Sequence, residues 1–148
     1  MNDMAEINTV LVAFSATSIH RNLAKAALDM AEEQNARLII LNVRDKNMAE
    51  KVARVTKDQG FMGRAVVEKL AADIKRDRDE LIAQRLSRVE EEAGKRGIEF
   101  ETVKVKGDFV EQVIEAAGMY GADVVMVASS SIVNDIEKKI DAEVYSFE

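Results

Sequence analysis

Two short clusters of hydroxyl groups are the residues of this chain best placed to do chemistry. Ser129, Ser130 and Ser131 close the apolar run that begins at Val124, and Ser15, Thr17 and Ser18 close another that spans Asn8 to Phe14. Each cluster stands where a buried-looking strand gives way to an amphipathic stretch. At such a junction backbone N–H groups and hydroxyls converge beside the positive end of a helix, which suits phosphate, sulfate or a small carboxylate. One serine is explained as an N-cap, worth about 1 kcal/mol; three in a row exceed that need. Val43, at the end of a further apolar run, completes the candidate ligand-binding set.

Reactive groups are otherwise scarce. The chain has no cysteine, which removes disulfides, thiolate metal sites and thiol nucleophiles together. His20 is the only histidine, so a paired-His zinc site cannot form and any Ser-His-Asp arrangement would pass through it alone. Its place at the start of a helix reads more simply as a surface position. Asp77 and Asp79, two apart on a helical pattern, point to different faces and make a poor metal site. Glu91 with Lys95 and Glu92 with Arg96 have the i,i+4 spacing of a solvated helix face. No catalytic residue and no metal ligand is assigned, and the chain is not expected to be an enzyme, although a weak ATPase is compatible with the serine loops.

The elements that position the serines alternate along the whole chain. Asn8 to Phe14, Arg37 to Val43, Ile98 to Val105 and Asp123 to Ala128 read as strands, the first, second and fourth apolar at nearly every position as in a sheet covered on both faces. Between them, Leu23, Ala27 and Met30, and later Val110, Val113, Ile114 and Ala117, recur at helical spacing. Asp108 and Glu111 stand in capping-box spacing before the second of these stretches. A short helix is expected over Ile132 to Ile140 and a fifth strand at Glu143 to Phe147.

The pattern predicts an α/β domain, residues 1–148, with a doubly wound, open, parallel five-stranded sheet and helices on both faces. Ligands of such sheets bind beyond the carboxyl ends of the strands where strand order reverses. An order of 3-2-1-4-5 would bring the two hydroxyl clusters to one crevice. The middle of the chain is less regular, with an uncertain helix after Arg44, a break at Gly60 and Gly63, and a helical stripe from Arg64 to about Lys95. Six charged residues, Lys75 to Glu80, interrupt that stripe. They read as a solvated turn or a kink; the sharper alternative is one helix of nearly 50 Å whose overhang meets a partner.

Charge and length exclude several classes. A net charge of -6, with both signs mixed along 148 residues, offers no basic stripe for nucleic acid. The apolar runs fall far short of the roughly 20 residues of a membrane span, and the first ten residues lack a signal-peptide pattern. The expected location is the cytoplasm. P-loop and dinucleotide fingerprints are both missing, and "AFSATS" lacks the acidic residues with which a receiver domain holds magnesium. A flavodoxin-like FMN protein is a minor alternative. Ser15 and Thr17 match that phosphate loop, but Ser18, Ile19 and His20 do not.

Three stretches resemble the universal stress proteins: "NTVLVAFSATS", "RLIILNVRD" and "KGDFVEQVIEAAGMYGADVVMVAS". In the last, Gly107, Ile114, Ala117, Gly121, Ala122 and Asp123 fall where that family's pattern expects them. The resemblance implies an adenine nucleotide alpha hydrolase-like fold and a stress-response role. The chain departs from the family's nucleotide-binding members at two places. Ser15 stands where an adenine-contacting Asp is usual, and no glycine follows Gly121, so the glycine-rich phosphate loop is missing. Phosphate cradles need glycine for close backbone approach and positive φ. The expectation is therefore a degenerate member with no ATP cofactor, in which the serines leave a pocket for phosphate or another small anion; the alternative is an ATP or AMP binder that uses the serines instead. Family members commonly dimerise through the last strand, which implies a homodimer through Val144, Tyr145 and Phe147, with any further protein partners unnamed.

Overall fold

The computed structural model describes residues 6–15, 19–44 and 64–147. Thr17, Ser18, the glycine break and the uncertain helix after Arg44 lie outside them. In chain order the elements are β1 (Thr9–Ser15), α1 (Arg21–Gln34), β2 (Arg37–Arg44), α2 (Arg64–Lys95), β3 (Phe100–Lys106), α3 (Phe109–Tyr120), β4 (Val124–Val127), a 3-10 turn (Ser130–Ile132), α4 (Val133–Glu137) and β5 (Glu143–Ser146). The sheet has the order β3-β2-β1-β4-β5 with every pairing parallel, the order expected from the sequence.

Side chains of successive strand residues leave the sheet on opposite sides, and the apolar runs supply both cores. Val10, Val12, Phe14, Leu38, Ile40 and Met126 pack with Leu23 and Ala27 of α1 and with Leu86 and Val89 of α2. Leu11, Ala13, Ile39, Leu41, Val125 and Val127 pack with Val113 and Ala117 of α3 and Ile136 of α4. Burying each of these larger side chains stabilises the fold by roughly 1.5–3 kcal/mol, so a sheet apolar at every central position has no stable arrangement with one face bare.

α2 is continuous through the charged segment, 32 residues long, or about 48 Å at 1.5 Å per residue. That is about twice the length of an eight-residue strand at ~3.3 Å per residue. Its C-terminal part is anchored by buried Ile82, Leu86, Val89 and Ala93, whereas Val66, Leu70 and Leu81 are exposed. Arg44 meets Asp79 at 2.7 Å and Arg76 meets Asp73 at 3.1 Å, so charges that interrupt the stripe are paired at its surface. The helix expected over Ile132 to Ile140 is shorter, because the serines start a 3-10 turn before it and only Ile136 of its residues is buried.

Candidate functional site

Val10 to Val12 of β1 lie in register with Val124 to Met126 of β4, so Ser15 at the end of β1 and Ser129 just after β4 stand side by side at the carboxyl edge of the sheet. Between them is a crevice of about 230 Å³. β1 contributes Ala13, Phe14 and Ser15 to its wall, the residues after β4 contribute Ala128, Ser129 and Ile132, and His20 and Phe109 close it. Most of this lining is apolar. The polar residues in its wall are Ser15, Ser129 and His20.

The serines after β4 are bound to one another. Ser129 has an extended backbone (φ -115°, ψ 128°), and its Oγ accepts the Ser131 backbone N–H at 3.3 Å. The Ser129 and Ser131 hydroxyls are 2.7 Å apart. This is the local side-chain-to-backbone bonding that makes serine a good cap. Ser129 is half-buried, Ser130 and Ser131 are exposed, and Ser15 is half-buried at the end of β1. Val43 is buried in the core beneath α3 and is not part of the crevice wall.

Three contributors were not singled out by sequence as ligand positions. His20 occupies the N-cap position of α1 without a side-chain cap bond, Phe109 opens α3 after the Asp108 cap, and Ile132 ends the 3-10 turn. Each follows the carboxyl end of a strand, the signal that could have found them. Asn42 is a fourth polar feature behind the crevice. It is 1% exposed within an apolar strand, and its side-chain N–H₂ donates to the Ser15 carbonyl at 3.3 Å and, at a long 3.5 Å, to that of Phe14. A buried amide must find such partners; here they fix the last turn of backbone before the first loop.

Among the described residues, no carboxylate hydrogen-bonds His20, and no group of three or more His, Asp or Glu side chains is arranged to hold a metal. No helix among them is long and apolar enough to cross a membrane. At the far edge of the sheet, Val144 is buried against the α4 side, Phe147 packs partly on the α1 side, and Tyr145 is 40% exposed.

The sequence model of the universal stress protein family matches residues 6–134. No curated protein matches the sequence significantly. Solved structures do. A universal stress protein family member from Burkholderia pseudomallei is 18% identical, with a TM-score of 0.63 and 97% of each chain covered. The universal stress protein UspA from Lactobacillus plantarum is 15% identical, with a TM-score of 0.64 over 97% of this chain and 99% of that one. A universal stress protein from Archaeoglobus fulgidus, solved in complex with dAMP, is 13% identical, with a TM-score of 0.56 over 97% of this chain and all of the other. At such identities the structural likeness speaks for the fold, and the family match over most of the sequence carries the assignment: this chain belongs to the universal stress protein family.

Proposed function

We propose that the chain is a non-enzymatic stress-response or regulatory protein that does not hold ATP in the crevice. The observation that carries this reading is the crevice itself. Its volume of about 230 Å³ is below the roughly 300–1,000 Å³ typical of small-molecule pockets, its wall is mostly apolar, and Ser129 is engaged in capping its own turn. The chain has no glycine after Gly121 to let backbone wrap a triphosphate. What the two hydroxyl clusters can take is a single phosphate or another small anion. A homodimer joined through the open edge of β5 completes the proposal, because an unprotected strand edge is a ready pairing surface.

Amide NMR with Mg-ATP tests the reading. The signals of Ser15 and of Ser129 to Ile132 are expected to show no saturable shift below about millimolar ATP, a binding free energy of about -4 kcal/mol. Saturation at micromolar ATP overturns it. Neighbours solved with dAMP and with cAMP favour a second reading, a nucleotide site that uses the serines. An AMP titration saturating on both loops, with no response to inorganic phosphate, would select it.

A further inference from the structure

A second cavity, of about 750 Å³, lies on the other side of His20, between α1 and the C-terminal half of α2. Its floor is apolar, with Ala24, Leu28 and Val89 buried beneath it. Its walls are cationic. Arg21 and Lys25 line it from α1, and Arg85 and Arg88 line it from α2. One acidic residue, Glu92, is part of the lining. That carboxylate is bound to Arg96 at 2.9 Å, and Arg96 is also bound to Asp29 at 2.8 Å and to Glu32 at 3.4 Å. The acidic groups at this end of the groove are thus committed to one guanidinium. Among the described residues, Arg21, Lys25, Arg85 and Arg88 have no carboxylate partner.

Four such cations gathered in one groove of a chain with net charge -6 repel one another unless an anion lies between them. Arg21 and Lys25 are one helical turn apart, as are Arg85 and Arg88, which places each pair of Cβ atoms about 5–6 Å apart. The Arg21 and Lys25 charges also stand in the first turns of α1, at the positive end of its dipole, where no acidic residue offsets them. The ligand that matches must carry three or four negative charges within about one helical turn. An acidic peptide is too dilute in charge. Linked phosphates have the required density, and their oxygens accept paired N–H donors from guanidinium groups.

We propose that the α1–α2 groove binds a linear polyphosphate, free or as the tail of a larger molecule. The site is separate from the serine crevice and does not rest on what that crevice holds.

The test is an amide NMR titration of the full chain with inorganic tripolyphosphate. Saturable shifts are expected on residues 21–28 and 85–92. Raising the salt from about 0.1 M to about 1 M, which shortens the Debye length from about 10 Å to about 3 Å, should abolish them. An Arg85→Ser/Arg88→Ser variant, folded by the same spectra, should bind at least about tenfold more weakly, a loss of roughly 1.4 kcal/mol. Lys138→Ser/Lys139→Ser, which removes equal charge elsewhere, should bind as the parent does. Magnesium-free ATP should match tripolyphosphate if the phosphates alone are read. The proposal fails if shifts are absent at about 10 mM ligand, a Kd far outside useful affinity. It fails equally if shifts appear only at Ser15 and Ser129 to Ile132, if both variants weaken binding alike, or if oligoglutamate of equal charge binds as well.

Discussion

Asp123 shows how a single side chain can carry a family's sequence pattern. Its Oδ2 accepts the backbone N–H of Asn8 at 2.8 Å and of Thr9 at 3.0 Å, clasping the start of β1 to the start of β4. Gly121, two residues earlier, ends α3 in the left-handed region at φ 64°, where an L side chain is disfavoured, and the Ala122 N–H returns to the Ala117 carbonyl at 3.0 Å. The run Gly121-Ala122-Asp123 is thus a turn and a clasp. The two tyrosines give a sharper test at this scale. Tyr120 donates to Glu101 at 2.8 Å and Tyr145 to Glu143 at 2.6 Å, and these hydrogen bonds are the main cause holding both phenols above their ordinary pKa. Only the protonated phenol can donate, so the contribution is complete below about pH 10, the unfolded value, and is lost as pH rises through the higher folded value. An ultraviolet phenolate titration should find both residues ionising above about pH 10, and Glu143→Ala should return one of the two to the ordinary range. Midpoints at or below that value in the parent would contradict the hydrogen bonds.

Among the helices, α1 and α2 are joined where their ends meet by Arg96, just past the end of α2, which binds Asp29 and Glu32 of α1 together with Glu92 of its own helix. The hydrogen bond to Asp29, followed by that to Glu92, raises the guanidinium pKa above its already high value, so the link persists at any pH at which the carboxylates are charged. Those carboxylates are all more than a third exposed, and solvent screening limits the network to about 1 kcal/mol. Arg96→Ala should lower the unfolding free energy by that amount, seen as a lower urea midpoint with an unchanged m-value. Arg96→Lys should recover only part of it, since a point charge cannot reach three acceptors as a planar fork does. No change in the alanine variant would mean the pairs are decorative. Sequence showed Glu92 and Arg96 as an i,i+4 pair but could not show Asp29, 67 residues away. The same limit explains the rest. Continuous apolar runs and helical spacing made the strands and the parallel, doubly covered sheet legible, because burial on both faces dictates them, whereas the strand order came from the family resemblance, since burial alone is satisfied by other orders. That Ser129 to Ser131 stand at a helix start follows from their place after an apolar run and before an amphipathic one; that Ser129 bonds Ser131 depends on local torsions that composition does not encode. The groove between α1 and α2 was invisible, since its two walls are separated by about sixty residues and each looks like an ordinary solvated face.

At the level of the whole molecule, the sheet ends in two unlike edges. β3 is a mostly exposed edge strand carrying Glu101, Lys104 and Lys106, charges that discourage pairing with another strand. β5 is short and less charged, and the backbone shows which of its groups are open. The Glu143 N–H bonds the Asp123 carbonyl and the Phe147 N–H bonds that of Val127. By the two-residue alternation of a strand, the N–H groups of Val144 and Ser146 therefore point away from β4. Val144 and Phe147 already pack within the protomer, which leaves Tyr145, 40% exposed, as the side chain a second copy would meet. A homodimer formed by antiparallel pairing of two β5 edges would satisfy the outward N–H groups and cover that ring. Ser146→Pro removes one outward N–H and spares the bonds to β4, a substitution tolerated only at an edge. Light scattering at high micromolar concentration should give a dimer for the parent and a folded monomer for this variant. A monomeric parent sinks the proposal. A dimer that survives Ser146→Pro moves the interface elsewhere, with the exposed Val66, Leu70 and Leu81 of α2 the next surface to alter.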